Sequence, residues 1–224
     1  MGGNSGILKQ PVVVVVELSE LMEGALGELQ KGLELLQTLL SNPKTATTVE
    51  LALVTFKGDE VAYWDFSQPG EISIPTLTTG PLGYLGKGVL KGIELIEKRK
   101  GYYSQTGQNY SRPIIGLIST GNPNFGDSET LFYSLMKLHL LAEREELLFW
   151  GFGVEDPDIP LLKELIPEKP GFLCKKVKEG EGKYLSLFQW LGESLSLLSE
   201  GWQVEEVLEE MERRDVDREL FEAF

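Results

Sequence analysis

Cysteine and histidine are nearly missing from this chain: its 224 residues include one of each, Cys174 and His139. A lone cysteine cannot close an intrachain disulfide, and a cysteine-based zinc site lacks the ligands it needs. That usage fits a reducing compartment. Basic charge is also short, with 21 Lys and Arg against 35 Asp and Glu and a net charge of −14. Such a surface repels phosphate backbones and anionic membranes, so nucleic acid is not an expected partner, while basic or metal partners are tolerated. No long apolar run opens the chain. Val12 to Val16 ends at Glu17, too soon for a signal-peptide core and far too soon to span a bilayer. Met1-Gly2 suggests myristoylation, but Gly6 stands where that pattern wants Ser or Thr. The expectation is a cytoplasmic protein without membrane contact.

What is present is enough apolar material, 42% of residues, for one globular domain with a complete core. Val12 to Leu18 is a continuous β-branched run, the pattern of a strand buried on both faces of a parallel sheet. From Leu21, apolar residues at Leu26, Leu29, Leu33, Leu36 and Leu40 predict one long amphipathic helix stopping at Asn42-Pro43. Glu50 to Phe56 and Val61 to Phe66, around Lys57-Gly58-Asp59, read as an antiparallel hairpin. Further strands are predicted at Pro113 to Ile118, Leu147 to Val154 and Gly171 to Val177. Helices are predicted at Leu85 to Lys100, Leu131 to Glu145, Pro160 to Ile166 and residues 187–198. This alternation predicts an α/β fold, a doubly wound, mostly parallel six-stranded sheet with one antiparallel edge hairpin. The expected division is a tail at 1–10, a domain at 11–199 and a C-terminal extension at 200–224. In that architecture ligands sit beyond the carboxyl ends of the strands. Three loops therefore matter: Ser19 to Met22, Thr78 to Gly86 and Ser119 to Asp127.

Those loops and their strands carry a resemblance. ELSELM after the first strand, VELALVTF, IPTLTTG leading to LGKGVLKGIELIEKRKGYY, YSRPIIGLISTGNP, LLFWGFGV and LFQWLGESLSLLS follow one another from about Pro11 to Leu198. In order and spacing the chain resembles the von Willebrand factor A domain, most closely its bacterial cytoplasmic branch associated with tellurium resistance. That family's metal-ion-dependent adhesion site uses Asp-x-Ser-x-Ser, a Thr in the next loop and an Asp after a later strand, hard oxygens of the kind Mg²⁺ requires. Placed on this sequence, the first Asp becomes Glu17, Ser19 is retained, and the second Ser becomes Leu21. Gly83 falls at the Thr position, and Thr120 replaces the later Asp. Thr79 to Gly83 also matches the family's Thr-Pro-Leu-Gly with one residue inserted. The resemblance thus implies a degenerate site with no metal cofactor, the alternative being a weakly held Mg²⁺ on Glu17, Ser19 and Thr120. It also implies a protein partner in a bacterial stress-response or signalling assembly associated with kinases or phosphatases.

Other signals read more plainly. Gly80 to Gly88 imitates a phosphate loop, but five residues rather than four separate Gly80 from Gly86, and Gly88 replaces the required Ser or Thr. Ser19 lacks a nucleophile elbow, and His139 lies within the apolar stretch Leu135 to Leu141, so no hydrolase and no enzyme is expected. Cys174 reads as a packing residue in a strand. Tyr84 and the segment Asn122 to Phe125 place aromatic and amide groups on the rim, either as partner anchors or folded back on the domain. Beyond Leu198, the residues Val204, Val207, Leu208, Met211, Leu220, Phe221 and Phe224 form an apolar stripe that either packs on its own domain or docks on another chain as an oligomer contact.

Overall fold

A computed structural model describes residues 7–214 and 219–222. Phe224 and the side chain of Phe125 lie outside the described residues. Strand β1 (Gln10–Glu17) is buried along its whole length. It lies in the middle of a six-stranded sheet of order β3-β2-β1-β4-β5-β6, with β2 at Val49–Lys57, β3 at Glu60–Ser67, β4 at Ile114–Ser119, β5 at Leu148–Gly153 and β6 at Leu173–Lys176. β1 pairs in parallel with β2 and β4, β4 with β5, and β5 with β6; β2 and β3 form the antiparallel hairpin. The predicted fold class is the one observed.

The five valines of β1 divide between two apolar layers because strand side chains alternate. Val12, Val14 and Val16 face a layer built with α1 (Leu26–Leu40), α6 (Lys183–Ser199) and α7 (Val204–Arg213). Val13 and Val15 face the layer of α3 (Leu85–Thr106), α4 (Ser128–Glu143) and α5 (Ile159–Leu165). Each such burial contributes roughly 1.5–3 kcal/mol before entropy is counted. A β-branched run therefore serves both sides of the sheet, as a strand covered by helices on both faces must.

Two local differences from the sequence expectation have simple causes. The predicted helix from Leu21 is divided into a 3₁₀ segment at Glu20–Ala25 and α1 from Leu26. Gly24 and Gly27 flank the break, and Leu21 is exposed, so the buried stripe begins only at Met22. After α1, Asn42 caps a short helix α2 (Pro43–Thr48), its side chain accepting from the Thr45 N–H, with Pro43 at the first helical position.

The C-terminal stripe is spent on the protein's own core: Val207 and Met211 are fully buried and Leu208 packs beside them. Phe221 joins Phe152 and Trp190, and residues 219–222 pair antiparallel beside β6, with Lys178 N–H donating to Leu220 and Glu222 N–H to Lys176. An edge that would otherwise expose backbone donors and acceptors is thereby covered. Among the described residues no helix is long and apolar enough to cross a membrane.

Candidate functional site at the carboxyl edge of the sheet

The parallel strands β1, β4 and β5 all end at the same edge, and Glu17 is the last residue of β1. Its carboxylate is buried and turned toward the end of β4. It accepts from Ser119 Oγ at 2.7 Å, from the Thr120 N–H at 2.8 Å and from Thr120 Oγ1 at 3.0 Å. Three donors satisfy most of what a buried carboxylate demands and make a charge-assisted tie between two neighbouring strand ends. Ser119 Oγ accepts in turn from the Gly121 N–H, and Thr120 Oγ1 from the Asn122 N–H.

Ser19 is also fully buried, and its Oγ has no hydrogen-bond partner among the described residues. Leu21, two residues on, stands 45% exposed. It borders a shallow depression with Glu155, Asp156, Lys176 and Glu179. Of the seven rim residues singled out from sequence, Glu17, Ser19 and Thr120 are therefore interior, Leu21 is exposed, and Tyr84 and Asn122 are half-buried. Asn122 is occupied locally, its amide donating to the Thr120 carbonyl.

Gly83 is buried for a reason the sequence did not disclose. A Cβ there would lie 2.6 Å from the Phe56 ring, so the loop approaches β2 more closely than a side chain permits. The loop is also stitched to both neighbours. Tyr84 N–H donates to Gly58 and Asn124 N–H to Gly83, and Gly80 N–H donates to the Leu18 carbonyl. The Tyr84 ring is folded over this loop, with Lys87 Nζ 4.6 Å from its centroid and its hydroxyl beside Gly126.

Asp127 is a residue that the sequence reading did not single out. It precedes α4 and resembles an N-cap for that helix, but its side chain crosses to α3 and accepts from the Gly86 N–H at 2.6 Å. Burial raises its pKa, against the opposing pull of hydrogen bonds from Thr130 and from the Gly86 and Lys87 backbones. The carboxylate thus sits where a phosphate would dock on the α3 N-terminus, which closes the phosphate-loop reading physically. Aspartate before a helix is legible as a cap; which helix it caps depends on the α3–α4 approach, where a Cβ on Gly86 would meet the Leu131 backbone.

A second unforeseen feature lies after β5. Glu155 and Asp156 are consecutive non-glycine residues in the left-handed region, each at φ 53°. Strained pairs of this kind need outside support. Lys183 supplies it at 2.6 Å from Glu155 and 2.5 Å from Glu179, and Tyr184 donates to Glu155 at 2.9 Å. His139 is exposed on α4, its Nε2 3.2 Å from the Glu164 carbonyl, and it makes no bond to Ser19. Cys174 is partly buried against the α5 layer, and burial pushes its thiol up to about 11.

A divalent ion such as Mg²⁺ needs converging hard oxygens with acidic charge. Here the one acid at the position, Glu17, is committed to three protein donors, Leu21 offers an alkyl group and Gly83 offers none. Among the described residues no group of three or more His, Cys, Asp or Glu is gathered to hold a metal. Ser19 Oγ alone fits the requirement, and the donor set as a whole does not.

No protein-family model matches the chain, and no curated protein matches it. Solved structures do. The pilus adhesin SpaC from Lactobacillus rhamnosus GG is 13% identical with a TM-score of 0.64, over 84% of this chain and 30% of that one. The ArnB paralog VWA2 from Sulfolobus acidocaldarius is 17% identical at TM-score 0.52, over 85% and 46% of the two chains. The manganese-loaded TRAP protein of Plasmodium vivax is 13% identical at TM-score 0.53, over 81% and 72%. The chain spans under a third of the adhesin and under half of the ArnB paralog. With the sheet order and the rim now described, these likenesses make the fold that of the von Willebrand A domains.

Proposed function

We propose that the chain is a non-catalytic interaction module of the von Willebrand A type whose rim contacts a protein partner without a metal ion. The observation that carries this reading is the Glu17 carboxylate, held inside by Ser119 and Thr120 while Leu21 presents an alkyl group at the surface. An internal tie of this kind fixes two strand ends by protein donors alone. The surface left to a partner is Leu21, Tyr84 and Asn122, which recognise by shape and neutral hydrogen bonds. Ser19 meets no base, which supports a non-catalytic role. The order of sequence blocks supports placing the module in the tellurium-resistance branch, working in the cytoplasm in a bacterial stress-response or kinase and phosphatase assembly.

A second reading, a loosely held divalent ion, is favoured by one observation, the buried and unpartnered Ser19 Oγ. Calorimetric titration with MnCl₂ and MgCl₂ separates the two. The metal-free reading expects no saturable heat, and one-to-one binding would sink it. Affinity capture from the native host in EDTA then tests the rim. Leu21→Asp and Tyr84→Ala are expected to weaken retention of the captured protein, and equal retention by both would move the interface elsewhere.

A further inference from the structure

Helix α4 is apolar on two sides and covered on one. Ser134, Leu138, Leu141 and Ala142 are buried toward the sheet and α3. On the opposite side Phe132 is 64% exposed, Tyr133 66%, Met136 56% and Leu140 48%. Residues 132, 136 and 140 stand one above another at helical i, i+4 and i+8 positions, so they form a continuous stripe about 12 Å long. Isolated exposed apolar residues are ordinary, whereas a contiguous exposed apolar patch is often functional. Its chemistry, two aromatics and a methionine, is that of the centre of an interface. A helix apolar all round is normally buried all round.

The charge around the stripe selects its occupant. Glu129 at one end and Glu143 and Glu145 at the other are all exposed; Glu143 is paired with Lys169 at 2.8 Å, so Glu129 and Glu145 carry the open negative charge. Of the basic groups alongside, Lys137 bonds Glu97 at 2.9 Å, and Arg144, itself exposed, lies 3.9 Å from Glu146. A second copy fits badly. A two-fold arrangement centred on Met136 would lay the Glu129 end of one copy against the end of the other that carries Glu145, and each copy carries a net charge of −14. A helix from another protein, two or three turns long and basic at its flanks, meets both the apolar and the charge requirement.

We propose that the outward face of α4 docks an amphipathic helix of a partner protein, with apolar residues at helical spacing and Lys or Arg at the ends of its stripe. This is a different face from the rim and stands independently of the reading given above. The test uses two synthetic probes, a helical leucine–lysine peptide and its leucine–glutamate counterpart, titrated against the full chain by fluorescence anisotropy at low and high salt. The expected result is saturable binding of the lysine peptide, surviving in part at high salt, and none of the glutamate peptide. Phe132→Ser with Met136→Ser should weaken it about tenfold or more. Glu129→Lys with Glu145→Lys should weaken it severalfold and admit the glutamate peptide, and Tyr84→Ala should leave it unchanged. The substituted side chains around α4 are all exposed, and melting curves check that each variant folds. Equal binding by the double serine variant would reduce the effect to diffuse charge and overturn the proposal. So would equal binding of both peptides, or a dimer mass in light scattering that Phe132→Ser abolishes.

Discussion

Two buried polar residues at the end of β1 make opposite predictions. Glu17 is satisfied by three donors, and replacing it with Gln turns a pure acceptor into a group whose amide faces Ser119 Oγ and the Thr120 N–H. Glu17→Gln should cost about 2–3 kcal/mol, the scale of hydrogen bonds to a buried charge. Ser19 Oγ, with no partner, contributes nothing that Ala would lose, so Ser19→Ala should leave stability unchanged or raise it slightly. Urea denaturation of the two variants decides this; a costly Ser19→Ala would reveal a bound water or ion at that hydroxyl. Gly83 carries a third expectation. Glu17→Asp, Leu21→Ser and Thr120→Asp each put in a side chain of similar or smaller size, but adding Gly83→Thr drives a side chain into the Phe56 ring. The triple variant should fold, and the quadruple variant should melt well below it, by several degrees or more for a strained loop. Equal melting of the two in scanning calorimetry would mean that the loop moves away from β2 freely.

At the scale of elements, α7 belongs to the core rather than to a partner. Met211 is fully buried in the layer that also contains Trp190 and Phe221. Met211→Ala should cost about 2–4 kcal/mol and lower the melting temperature by roughly 5–10 °C. Truncation after Ser199, which also removes Val207, Leu220 and Phe221, should do more. A truncated chain with an unchanged melting curve would make α7 an appendage. The stripe itself was legible in the sequence because its spacing is local; which surface it covers was not, since that depends on where α6 ends. The same division holds elsewhere. Strand β1, the hairpin at Gly58 and the helices around them follow from patterns within a single window of sequence. The rim loops were found because parallel strands deliver their ends to one edge. What could not be read were the contacts across that edge: Asp127 crossing to α3, Phe56 filling the space beside Gly83, and Glu17 choosing Ser119 and Thr120. Each joins residues some 30 to 100 positions apart, and no spacing rule reaches that far. The exposed face of α4 was hidden for the opposite reason: an all-round apolar helix predicts burial, and nothing in its own pattern says which side is left bare.

Across the whole molecule the sheet is the shared wall between two apolar layers, and β1 contributes to both through adjacent residues. Val13 and Val14 cannot leave their layers separately, because one backbone carries them, with β2 and β4 bonded on either side. The layers should therefore unfold together even though the chain exceeds the size at which a single transition is usual. The tryptophans make this measurable. Trp150 and Trp190 are buried in the α1 and α6 layer and Trp64 packs against it, so intrinsic fluorescence reports mainly on that side. Far-ultraviolet circular dichroism reports on helices of both sides. Coincident urea midpoints from the two signals are the expected outcome. A fluorescence midpoint that precedes the dichroism midpoint would mean that the α6 and α7 side opens first, leaving α3, α4 and α5 on the sheet, and the continuous valine strand would not then be the element that makes the two layers one cooperative unit.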